Sequence, residues 1–158
     1  AHDFLLGSLA IEVKGSTASA PQSFRVSNLQ QMECPAGRSL CVSHLTLELS
    51  TATGTTLPEI MERIRSRLGQ EDAGALTDFD GRLLEAGFLN AHAADYAAAR
   101  YLIRQTRHFR VADGFPKLTR ADVPTGIPEA SSSVSLPDCR PFEVTVAGMA
   151  ALVDGAHP

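Results

Sequence analysis

Three residues near the start of the chain have the types and spacing of a metal-assisted hydrolytic site: Asp3, Glu12 and Lys14. Phe4-Leu5-Leu6 and Leu9-Ala10-Ile11 flank Gly7-Ser8, a pair suited to a two-residue hairpin turn with positive φ at its first position. Pairing outward from that turn sets Leu6 against Leu9, Leu5 against Ala10, Phe4 against Ile11 and Asp3 against Glu12, and directly opposed residues share a face. Two carboxylates held about 5 Å apart repel each other unless a cation lies between them. Hard oxygen ligands of this kind suit Mg²⁺ or Mn²⁺. The period of two along Ile11-Glu12-Val13-Lys14 puts Glu12 and Lys14 on one face, so that an ammonium projects beside the carboxylate, able to steer or deprotonate a metal-polarised water.

The elements that must hold these groups follow from the pattern of the rest. Residues 3–14 read as the hairpin, residues 23–27 as a second strand candidate, and residues 39–50 as the longest strand, with Leu45, Leu47 and Leu49 alternating with Thr46 and Glu48. The period then changes: Thr56 is a cap, Pro58 sits in the first turn, and Leu57, Ile60, Ile64 and Leu68 recur at helical spacing before Gly69. Residues 75–86 and the alanine-rich residues 91–99 read as two more helices separated near Gly87, and residues 101–111 return to strand. Pro116, Pro124, Gly126, Pro128, the serine run 131–133, Pro137 and Pro141 make the remainder mostly loop, with a late strand over 142–146. No internal repeat is visible.

Composition bounds the class. At 158 residues, with 44% hydrophobic and 20% charged residues and a mean hydropathy of −0.03, the chain has the balance of one globular domain over 1–158. A net charge of −4 argues against holding DNA by bulk charge, so any nucleic-acid contact is local. Cys34, Cys41 and Cys139 are odd in number and lack CxxC spacing, which disfavours a disulfide framework and a zinc site alike. With no Trp and two Tyr, stacking platforms for single strands are few. No apolar run approaches the roughly 20 residues of a membrane span, and the reading is cytoplasmic. The opening Ala1-His2-Asp3-Phe4, without an initiator Met, reads as a fragment or processed product, the C-terminal part of a longer protein.

The D-x8-E-x-K pattern carried on a hairpin resembles the active site of the PD-(D/E)xK nuclease superfamily, with His2 at the nominal Pro. Further stretches, Glu12 to Ser16, Ser27 to Met32, Phe109-Arg110-Val111, Gly114 to Thr119 and Asp122-Val123-Pro124, are similar to a bacterial PD-(D/E)xK family found in defence and restriction-like operons that carry a helicase and a GHKL-type ATPase. The resemblance implies an α/β restriction-endonuclease-like fold, a mixed central sheet flanked by helices, here without the first core helix and strand. It implies Asp3 and Glu12 as metal ligands, the Val13 carbonyl as a further ligand, Lys14 acting on the water, and Gln31 supporting the site.

The plainer readings stand beside these. Short Glu-x-Lys tripeptides on strands are usually solvated cross-strand charges. Arg100, Arg104, Arg107 and Arg110 form the one dense basic run, and Arg104 and Arg107 are the phosphate contacts it offers, although a solvated face with extended arginine stems has the same pattern. Ser16 could donate to a phosphate near the site; loop formation after a strand explains it equally. His44 reads as a core or surface histidine, and His2, His92 and His157 share no metal-binding spacing and receive no role. The expectation is an Mg²⁺- or Mn²⁺-dependent DNA endonuclease of a bacterial defence system, with DNA, helicase or ATPase components and a second copy of the chain as partners and no membrane. The alternative is a catalytically inactive nuclease-fold scaffold subunit of a multi-protein complex.

Overall fold

In the computed structural model, which describes residues 2–156, the chain forms two compact units. One is drawn from residues up to Leu47 and from Ile103 onward; the other spans Glu48–Leu102. The architecture is mixed α/β, built on a central sheet with both parallel and antiparallel pairs.

In the first unit, β1 (Phe4–Leu6) and β2 (Leu9–Ser16) form the expected hairpin, with Phe4 opposite Ile11, Leu5 opposite Ala10 and Leu6 opposite Leu9. Gly7 has φ +45°, and a Cβ there would lie 1.8 Å from the carbonyl oxygen of Ala156, so both conformation and space require glycine. β2 pairs in parallel with the first part of β4 (Ser39–Ser50), from Leu9 opposite Ser39 to Ser16 opposite Thr46. Parallel neighbours need a long crossover. This one holds β3 (Ser23–Val26) and a 3₁₀ turn (Leu29–Met32) that Asn28 caps by accepting from Gln31 N–H. β6 (Arg100–Val111) follows β4 in the sheet.

Both faces of β2 are covered, which explains the burial of four successive residues from Leu9 to Glu12. Ala10, Leu40, Val42 and Phe109 meet Phe24, Val26 and Met32 on one side. Leu9, Ile11 and Cys41 meet Met149, Leu152, Val153 and Ala156 on the other. The helix that carries three of these residues corrects the expectation of loop around a late strand over 142–146. Only Glu143–Val144 is strand (β8, paired with β6), and Val146–Asp154 is helix, capped by Thr145 Oγ1, which accepts from Gly148 N–H at 3.0 Å. The apolar spacing of three and four at Met149, Leu152 and Val153 was helical all along. The serine run also departs from loop: Ser132–Ser135 (β7) pairs antiparallel with β3, because Val134 opposite Phe24 reaches the core.

In the second unit, β5 (Thr55–Thr56) pairs with the start of β6, and α1 (Leu57–Glu71) opens with the expected Thr56 cap, a reciprocal box with Glu59. α1 runs through Gly69. Its stop comes from Asp72, whose carboxylate caps α2 (Ala73–Glu85) by accepting from the N–H groups of Gly74 and Ala75. The helix expected over 91–99 shrinks to a 3₁₀ turn (Asn90–His92) and α3 (Ala93–Tyr96). Strand pairing takes over at Arg100, which also donates to the Gly54 carbonyl at 2.9 Å, and alanine propensity alone does not hold so short a helix. Among the described residues no helix is long and apolar enough to cross a membrane. The cysteines are free thiols, Cys34 exposed and Cys41 and Cys139 buried.

Candidate active site

Alternation along β2 aims Glu12 and Lys14 at the face that also holds Ala10, with Val42 and His44 beside them on β4. Glu12 is only 2% exposed. Removing a carboxylate from water costs several kcal/mol unless it is paired and hydrogen-bonded. The pairing is unequal between its two oxygens. Oε1 accepts from Lys14 Nζ at 2.9 Å, whereas Oε2 has no hydrogen-bond donor and lies 3.5 Å from Nδ1 of His2.

Lys14 is held from a second side. Its ammonium donates to Gln31 Oε1 at 2.9 Å, and the same oxygen accepts from the Ser27 N–H at 2.8 Å. The 3₁₀ turn in the crossover thus returns Gln31 to the sheet face opposite the strand end that carries Lys14. Asp3 stands one residue outside the β1–β2 ladder and is exposed; its Oδ2 accepts from the Val13 N–H at 2.7 Å. Asp3 therefore sits at the level of Glu12 and Val13, with one oxygen tied to the backbone.

His2, for which the residue spacing offers no role, lies against Glu12. Its Nε2 is 3.0 Å from the Glu33 carbonyl oxygen, and its Nδ1, buried like Glu12 Oε2, has no hydrogen-bond partner. The signal in the sequence was its position next to Asp3. His44 is fully buried beside Lys14 with its ring 6.1 Å from that of Phe24, and neither ring nitrogen has a partner. Burial first, and the Arg107 guanidinium second, hold His44 below the usual imidazole range. His157 lies outside the described residues. Among the described residues no three His, Cys, Asp or Glu side chains converge as an all-side-chain metal cage.

The candidate phosphate contacts are dispersed. Ser16, at the end of β2, accepts from the Ala18 N–H at 3.2 Å. Alternation along β6 sends Arg104 and Arg110 to one face and Arg107 to the other. Arg107 grips Glu143 with two arms, at 2.8 and 2.7 Å, and lies 4.9 Å from the Phe109 ring centroid. On the opposite face of the sheet from Glu12, Ser43 Oγ and His108 Nδ1 are 2.9 Å apart.

No curated protein and no solved structure matches this chain. A family model does: residues 1–137 match the family described as "Putative PD-(D/E)XK family member" (DUF4420), a span that includes the hairpin, Lys14, the Gln31 turn and both long strands. An acid at the edge of a hairpin, a buried glutamate and a lysine two residues on, set on a central mixed sheet, are thus the features of a chain that belongs to this PD-(D/E)XK family.

Proposed function

We propose that this chain is a divalent-metal-dependent DNA endonuclease that hydrolyses phosphodiester bonds in a bacterial defence or restriction-like system. The observation that carries the reading is the divided carboxylate of Glu12. One oxygen is neutralised by Lys14, and the other is buried without a donor. A buried acceptor without a donor fits a cation, and Asp3, Glu12 and the Val13 carbonyl are the groups that would hold Mg²⁺ or Mn²⁺. Such an ion, when bound, polarises water and offsets charge on the phosphate. Lys14, fixed by Gln31, orients the attacking water and stabilises the charge developing on the phosphate oxygens. Ser16 would contact a phosphate near Lys14, Arg107 would do so by exchanging Glu143 for the two non-bridging oxygens of a phosphate, and Arg104, on the other face of the sheet, would contact phosphate away from the site.

Nicking of supercoiled plasmid with Mg²⁺ or Mn²⁺ tests this, with candidate helicase or ATPase partners added in turn. Wild type is expected to cut. Lys14→Gln is expected to bind metal yet cut at least about a hundredfold more slowly, since it loses a group that acts in the transition state. The engagement of Asp3 Oδ2 by the Val13 N–H favours a second reading, an inactive nuclease-fold scaffold. Wild type and Lys14→Gln that are equally inert with every metal and partner establish that reading instead.

A further inference from the structure

We propose that His2 is itself a metal ligand, so that His2 Nδ1 and Glu12 Oε2 together hold one divalent ion and bias the site toward Mn²⁺ and Co²⁺ over Mg²⁺. The inference rests on the metal-dependent reading above and adds to it a nitrogen donor.

The tautomer of His2 follows from its neighbour. A carbonyl oxygen only accepts, so the 3.0 Å contact with Glu33 puts a proton on Nε2 and turns Nδ1, the nitrogen that carries the lone pair in the neutral ring, toward Glu12. That lone pair faces Glu12 Oε2 across 3.5 Å, and both atoms are buried with no hydrogen-bond partner. Two such atoms turned toward each other away from water need a positive centre, which a cation between them supplies to the neutral ring and a proton on Nδ1 supplies without one. Lys14 does not supply it, because its ammonium is engaged by Glu12 Oε1 and Gln31. Two donors bound to one ion at about 2.1 Å stand roughly 3.0 to 3.4 Å apart at octahedral to tetrahedral angles, close to the spacing found.

The surroundings of the ring support the same assignment. Metal-bound histidines commonly donate the other ring N–H to a carboxylate or backbone carbonyl, which fixes the ring and raises its basicity. Glu33 plays that part here, and it is anchored in turn, its Oε1 accepting from the Arg120 N–H at 3.0 Å. Glu33 ends the same 3₁₀ turn that delivers Gln31 to Lys14. One short turn thus orients both the ligand and the lysine. An imidazole donor favours borderline transition metals, whereas Mg²⁺ prefers oxygen and retained water.

Calorimetric titration with MnCl₂ and with MgCl₂, on wild type, His2→Ala and Glu12→Gln, tests the assignment without any cutting assay. Wild type should bind one Mn²⁺ at least about tenfold more tightly than Mg²⁺. His2→Ala should lose about tenfold or more of its Mn²⁺ affinity, the scale on which histidine shells act, and Glu12→Gln should bind neither ion at this site. A second readout is the proton spectrum of the Co²⁺ form, where the exchangeable Nε2–H of a coordinated imidazole should appear strongly shifted in wild type and vanish in His2→Ala. Retention of Mn²⁺ preference in His2→Ala, or absence of the shifted signal with Co²⁺ bound, overturns the role of His2 and leaves the nuclease reading standing. Wild type that binds no better than Glu12→Gln overturns both, and leaves the His2–Glu12 contact as an ion pair of a protonated ring.

Discussion

At the scale of single residues, the buried Glu12–Lys14 pair sets the terms for any experiment on the site. Removing one partner of a buried pair leaves an uncompensated charge at a cost of about 3–5 kcal/mol, whereas replacing both is often close to neutral. Lys14→Met should therefore lower stability by about 3–5 kcal/mol in urea unfolding, and the double variant Glu12→Gln/Lys14→Met should recover most of it. Loss of cutting in a Lys14 variant is then interpretable at temperatures where that variant stays folded. His44 governs a different response. Lys14 flanks it, Arg107 acts on it through space, and burial holds its ring neutral. An imidazole with a folded pKa below its ordinary 6.5 binds fewer protons folded than unfolded, so its stabilisation is full above about pH 6.5 and is lost as pH falls below it. The melting temperature should drop between pH 7.5 and 5.5, and His44→Leu should flatten the drop. A shallower slope should remain from His108, which burial also holds low.

Among the elements, those whose signals are local were legible in the residues. The Gly7-Ser8 turn fixes the hairpin register, the bounds of β4 follow its alternation, and the Thr56 box opens α1. That box is worth about 1 kcal/mol, and Thr56→Ala should cost this amount in urea unfolding while metal affinity stays unchanged, since the cap belongs to the other unit. What stayed hidden depends on partners distant in sequence. Ser132–Ser135 is a strand because Phe24 waits opposite Val134, and the alanines before Arg100 yield to strand pairing. Of the candidate site, the hairpin register next to Asp3 and the shared face of Glu12 and Lys14 could be read from spacing alone, because a two-residue turn determines which positions face each other. The placement of His2 over Glu12 could not, since it depends on the Glu33 carbonyl, delivered by a crossover whose path no local pattern dictates.

For the molecule as a whole, the parallel pairing of β2 with β4 imposes an order on how the site comes into being. The hairpin closes through near neighbours such as Leu6 and Leu9, so Asp3 and Glu12 can come into register at little cost in loop entropy. The Lys14–Gln31 bond and the wall of Phe24, Val26 and Met32 must wait until the crossover has docked and Leu9 has found Ser39. The spacing of the proposed ligands Asp3 and Glu12 is thus available before burial, and burial is the later event. Folding kinetics should separate the two stages. Gly7→Ala, which strains the turn and strikes the Ala156 carbonyl, should slow refolding, whereas Met32→Ala, which hollows the docked crossover, should chiefly speed unfolding. A chain still emerging in synthesis would then carry two carboxylates in register on an open hairpin, with neither the lysine clamp nor the dry surroundings that chemistry on a phosphodiester requires. Any hydrolytic power of the protein is consequently withheld until its longest-range contacts have formed.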